Sequence, residues 1–155
     1  MPKAEKIVIR TVSRPDEENA QALTNWFFES FDLSGKDDTP ERRMFGIIVN
    51  NSLQGMGTTS KGLSAELRQP LSTVIYNLNK FIDSGLVVRK GREYYLRASD
   101  FESTIQEIQA EMIAEFNRMT QFASKLDELF TSEVYGTGRQ TAGEKQGKRS
   151  KATGK

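Results

Sequence analysis

Neither cysteine nor histidine occurs among the 155 residues of the chain. Without thiols there are no disulfides and no thiolate metal sites, and without imidazole the usual general base and metal ligand are missing. Any acid–base chemistry would fall to carboxylates, lysine and tyrosine. Long apolar runs are absent too. None approaches the roughly 20 residues that span a bilayer, and Met1-Pro2-Lys3-Ala4-Glu5 lacks the apolar centre of a signal peptide. The expectation is a soluble, cytoplasmic protein with no membrane attachment, metal or cofactor. Acidic residues form no catalytic pair: Asp16-Glu17-Glu18 has the character of a helix start, and Asp37-Asp38 of a solvated loop. The chain is therefore expected not to be an enzyme.

What the chain does have is an uneven distribution of charge. The formal net charge is +1, yet the segment after Gly136 carries six bases (Arg139, Lys145, Lys148, Arg149, Lys151, Lys155) against Glu144, so the remainder is acidic. Residues 58–98 are basic again, with Lys61, Arg68, Lys80, Arg89, Lys90, Arg92 and Arg97 opposed by Glu66, Asp83 and Glu93. A local excess of cations is what phosphate contact requires.

Residues 59–96 carry the strongest pattern, a helix-turn-helix followed by a basic hairpin. Leu71, Val74, Ile75, Leu78, Phe81 and Ile82 recur at steps of three and four, which predicts an amphipathic helix over 71–84 with that stripe buried. A turn of about 100° per residue sets Thr73, Tyr76 and Lys80 on the opposite face, with Ser72 and Asn77 on its flanks. Gly85 suits a helix end, and Leu86-Val87-Val88 opens a β-branched run. A turn at Lys90-Gly91-Arg92 then leads into Glu93-Tyr94-Tyr95-Leu96, completing a two-stranded ribbon with a cationic tip.

The flanking segments supply the support. Residues 6–12 have the composition of a strand, and Pro15 with the acids after it predicts a helix running to Phe31 whose broad apolar face needs a packing partner. Thr39-Pro40-Glu41 opens a second helix carrying Met44, Phe45, Ile47, Ile48 and Val49. After a break at Gly55-Met56-Gly57, a short helix over 60–67 supplies Leu63 and Leu67. Gly55-Met56-Gly57 with Ser60-Lys61 has neither the residue order nor the preceding strand of a phosphate-binding loop.

Asp100 can cap a long last helix. Its stripe of Phe101, Ile105, Ile108, Met112, Phe116, Met119, Ala123, Leu126 and Phe130 keeps steps of three and four throughout. About 30 helical residues span roughly 45 Å, more than one small domain covers, so dimerisation through Phe101, Ile105, Ile108, Met112, Phe116, Met119, Ala123 and Leu126 is expected. The alternative, a ligand cavity between subunits, is weaker because such stripes usually fill interfaces. Beyond Tyr135 the composition predicts a disordered basic tail.

Over residues 41–130 the chain resembles winged-helix transcriptional regulators of the ArsR and MarR type, especially archaeal ones with a long C-terminal dimer helix. The resemblance rests on Leu63 and Leu67, Ser72-Thr73-Val74, Leu78, and Ser84-Gly85-Leu86-Val87. It implies a homodimer that lays two recognition helices in successive major grooves. The chain departs from the pattern at the turn, where Arg68 and Pro70 stand in place of a common glycine and a common capping serine. It also lacks the cysteines and histidines of metal-sensing members, so metal sensing does not carry over.

The expected fold is mainly α with a small β-hairpin wing. Its parts are an N-terminal strand and helix (1–38), a winged helix-turn-helix (39–99), a dimerisation helix (100–132) and a basic tail (136–155). The expected partners are double-stranded DNA and a second copy. Specificity is expected from Thr73, Tyr76 and Asn77, of which Asn77 can pair with adenine, while Ser72 and Thr73 suit base or phosphate contact near the helix start. Lys61, Lys80, Arg89, Lys90, Arg92 and the basic tail are expected to supply affinity through counterion release. Against this stands a plainer reading, a solvated helix face and a solubilising turn on a module that recruits proteins.

Overall fold

Caps decide where the helices begin. The computed structural model describes residues 7–33 and 39–134, and it is mainly helical with a small antiparallel sheet of three strands. Helix α1 spans Ala20–Ser30, later than the start expected at Pro15. The reason is Asn19, whose side chain accepts the Ala22 N–H at 2.8 Å and donates to Glu17 at 2.7 Å. An asparagine at this position satisfies an orphan donor, so the acids stay ahead of the helix rather than inside its first turn. At the other end Asp32 takes a positive φ of 56°, and the Leu33 N–H reaches the Phe28 carbonyl at 2.7 Å. That closes the helix in a Schellman turn with aspartate in the usual glycine place.

Residues 7–12 do not form the expected strand. The segment is tied to α1 by single bonds instead: the Arg10 N–H donates to the Ser30 carbonyl at 2.7 Å, and the Trp26 indole donates to the Ser13 carbonyl at 2.7 Å. β-branched composition marks compatibility with a sheet and not the existence of a partner strand. Lys6, the connector 34–38 and the tail 136–155 lie outside the described residues.

Helix α2 is Pro40–Leu53, with Thr39 accepting the Arg42 N–H and proline in the first turn, as expected from Thr39-Pro40-Glu41. Strand β1, Thr58–Thr59, leads directly into α3, Ser60–Leu67, and α4 follows at Leu71–Asp83. Strands β2 (Val87–Lys90) and β3 (Glu93–Leu96) form the expected hairpin, with Val87 opposite Leu96 and Lys90 opposite Glu93. The sheet order is β1-β3-β2. Two residues of β1 are too few to leave a periodic signal, so this third strand is an addition to the expected two-stranded ribbon. Gly57 makes it possible: a Cβ there would lie 2.7 Å from the Glu93 Cβ.

The core sits between the helices and one face of this sheet. Phe28 of α1, Phe45 of α2 and Phe81 of α4 pack edge to face in a closed triangle, with centroid separations of 5.3, 5.3 and 6.0 Å. Met44, Ile48, Leu63, Val74, Leu78, Leu86 and Leu96 fill the space around them and are fully or almost fully buried. Ser52 in α2 accepts the Leu96 N–H at 2.9 Å, which ties that helix to β3.

Helix α5 spans Phe101–Leu129 and ends in a π-helical turn, Phe130–Val134. Asp100 accepts the Ser103 N–H at 2.6 Å, and that backbone bond holds its carboxyl below the ordinary aspartate range. One compact unit runs through Gln109 and a second begins at Ala110. Within the first, Phe101 packs against Phe27 at 4.7 Å and Phe45 at 6.1 Å, and Ile108 is only 2% exposed. The sequence stripe assigns Phe101, Ile105 and Ile108 to a dimer interface. The structure corrects this for the buried Ile108, and Phe101 and Ile105 are themselves half covered by the chain's own core. In the second unit Phe116, Met119, Ala123 and Leu126 are exposed and Met112 is half-buried.

Replacing Phe45 by alanine removes the ring that touches Phe28, Phe81 and Phe101 together. The expected loss is about 3 to 5 kcal/mol of unfolding free energy, read from the urea midpoint at unchanged slope. A loss under about 1 kcal/mol would mean that the ring cluster is not the centre of the fold.

Candidate nucleic-acid interface

Between α3 and α4 the chain turns without glycine. Arg68 caps α3 at φ 54° and ψ 47°, a left-handed conformation that is unfavourable for a residue with a Cβ. The turn is secured by the Gln69 N–H to the Ser64 carbonyl at 3.1 Å and by the Ser64 hydroxyl to the Gln69 carbonyl at 2.6 Å. Pro70 then enters α4 with no side-chain cap. Arg68 and Pro70 are thus accommodated locally, and the two helices remain packed together.

Helix α4 buries a narrower stripe than the spacing suggests. Val74, Leu78 and Phe81 are fully buried, whereas Leu71 and Ile75 are exposed. The expected burial of all six apolar positions therefore fails at two of them, and the buried face is rotated. One consequence is that Asn77, expected on the reading face, is 8% exposed and belongs to the covered side. Asn79, which the wider stripe leaves out of account, is exposed instead, beside Ser72, Thr73 and Tyr76. Tyr76 is the most prominent of these at 65%.

Lys80 has a different role from the one expected. Its ammonium lies 2.5 Å from the Glu41 carboxylate and 5.4 Å from the Tyr76 ring centroid. Both partners of the ion pair are largely buried, so the charge joins α4 to α2 and is not directed at phosphate. Arg97 is likewise withdrawn: its side chain is buried and its guanidinium donates to Glu107 at 3.2 Å. Of the cations counted in residues 58–98, Lys61, Arg68, Arg89, Lys90 and Arg92 are exposed.

The hairpin carries three of these. Gly91 at φ 65° makes the tight turn, and the Arg89 side chain donates to the Gly91 carbonyl at 2.8 Å. Arg89 lies 5.8 Å from the Tyr94 ring centroid, and Lys90 lies 5.1 Å from that of Tyr95. The Tyr95 hydroxyl donates to Glu93 at 2.7 Å, which pushes its pKa up. Two cations are thus held over aromatic faces with hydrogen-bond donors still open to anions. Among the described residues no cluster of acidic side chains could hold a metal ion, and no helix is long and apolar enough to cross a membrane.

Comparison with models of protein families, with curated proteins and with solved structures finds no match to this chain.

The Glu41–Lys80 pair generates a stability test. Lys80→Met should cost about 2 kcal/mol by stranding a mostly buried carboxylate, less than for a fully buried pair because the first turn of α2 supports the charge. Adding Glu41→Gln should recover most of it. If the double variant were no more stable than Lys80→Met alone in denaturant titrations, the pair would not be coupled.

Proposed function

We propose that the chain is a winged-helix DNA-binding protein that acts as a homodimeric transcriptional regulator, without catalysis. In this reading α4 is the recognition helix in a major groove and the hairpin β2–β3 is the wing on the backbone. The observation that carries it is the pairing of an exposed polar face on α4 with the cationic hairpin that follows it directly. Ser72, Thr73, Tyr76 and Asn79 offer hydroxyl and amide groups suited to base edges, while Lys61, Arg89, Lys90 and Arg92 offer phosphate contacts. The element order, with a two-residue strand between α2 and α3 pairing to the hairpin, also suits a winged helix.

A second reading has one observation in its favour. Leu71 and Ile75 are exposed next to Tyr76, an apolar strip suited to a protein partner. A complex insensitive to salt would support that recruiting module, because phosphate neutralisation makes DNA binding fall steeply with salt.

Selection from a random duplex pool, followed by competition binding on selected and scrambled duplexes, tests the proposal. A twofold protein should select a near-palindrome with half-site centres about 10 bp apart or a multiple of that. Tyr76→Ala and Asn79→Ala should each lower discrimination by about 1 to 3 kcal/mol for every base they touch, whereas Arg92→Ala should weaken all duplexes alike. Selection of no sequence, or helix variants that bind as the parent does while folded, would overturn it.

A further inference from the structure

From Phe116 to Leu126 the apolar positions of α5 follow a strict heptad seam: Phe116 and Ala123 at one core position, Met119 and Leu126 at the other. Phe116 is 59%, Met119 55% and Leu126 51% exposed, and Phe122 on the flank is 68% exposed. Together with Ile113 these side chains leave on the order of 500 Å² of apolar surface per chain, so a pair of such faces reaches about the 1,000 Å² at which specific interfaces begin. A solvated helix does not keep such a stripe without a partner.

We infer that this face pairs with the same face of a second copy, and that the two helices run antiparallel about a twofold axis near Gln121. The inference rests on the homodimeric reading above and adds the orientation. Side-chain volume decides it. Parallel pairing places identical residues opposite one another, so Phe116 meets Phe116 while Ala123 meets Ala123, alternating a crowded layer with a hollow one. Antiparallel pairing places Phe116 opposite Leu126 and Met119 opposite Ala123. Each layer then joins a larger residue to a smaller one, and the space beside Ala123 receives the Phe122 rings that meet across the axis. Interiors pack to uniform density, and void or overfilled layers are both unfavourable.

Charge does not compete with this choice. Arg118 is paired to Glu115 three residues earlier, and Lys125 lies 3.7 Å from Glu128 three residues later. These pairs are satisfied within one helix and leave the orientation to the core. Opposed helix dipoles also favour the antiparallel arrangement.

The absence of cysteine makes the test clean. Full-length Phe116→Cys, Leu126→Cys and Thr120→Cys variants are held in a glutathione redox buffer, alone and as a mixture of the first two, and read on non-reducing gels. The unmodified chain is first sized by light scattering. Antiparallel pairing predicts a dimeric parent, a disulfide in the mixture but not in either variant alone, and a self-linked Thr120→Cys, whose two positions flank the axis and whose substitution leaves the core intact. Self-linking of Phe116→Cys and Leu126→Cys separately would mean parallel helices, overturning the orientation while the dimer stands. A dimeric parent with no disulfide in any sample would remove this face from the interface. A monomeric parent would overturn both the inference and the homodimeric reading.

Discussion

The triangle of Phe28, Phe45 and Phe81 is the contact on which the rest of the first unit depends. Three rings from α1, α2 and α4 meet edge to face within 6.0 Å, an arrangement worth more than the apolar area alone. Because Phe81 is locked there with Val74 and Leu78, the rotation of α4 about its own axis is set. The identity of the residues on its outer face follows from that rotation. Phe101 joins the same cluster through Phe27 and Phe45, so the start of α5 is fastened by the same rings.

Electrostatics then divides the cations into two groups. Lys80 and Arg97 are drawn inward by Glu41 and Glu107 and act as ties between elements. Arg89, Lys90 and Arg92 remain at the hairpin, where the first two lie over the Tyr94 and Tyr95 rings. A guanidinium or ammonium restrained over a ring loses less freedom when it meets an anion than one on an unconstrained side chain. The local basic excess in the sequence therefore overstates the cationic surface, but the part that survives is concentrated on one element.

Helices α2, α3 and α4 and the hairpin are legible in the sequence because their ends are written in local chemistry: Thr39-Pro40, Thr59, Gly85 and Gly91 each impose a cap or turn. Sequence patterns mislead where the outcome depends on a partner. Residues 7–12 have strand composition but pair with no strand, and Asn19 provides the cap that the pattern assigns to the region of Pro15. Counting Leu71 and Ile75 as buried misplaces Asn77, because it rotates the inferred stripe by roughly 20°. Excluding them brings Asn79 onto the open face. Ile108 falls on the outward stripe because a continuous apolar pattern does not reveal where the chain's own core stops covering it.

If the outer face of α4 and the hairpin tip meet DNA together, both should respond to it in the same titration. Backbone amide chemical shifts of the full-length chain, followed by NMR during addition of a selected duplex at moderate salt, test this most directly. Perturbations are predicted to concentrate on Ser72, Thr73, Tyr76, Asn79 and Arg89 to Arg92, while α1 stays still. Perturbations confined elsewhere, or none at duplex excess, would contradict it.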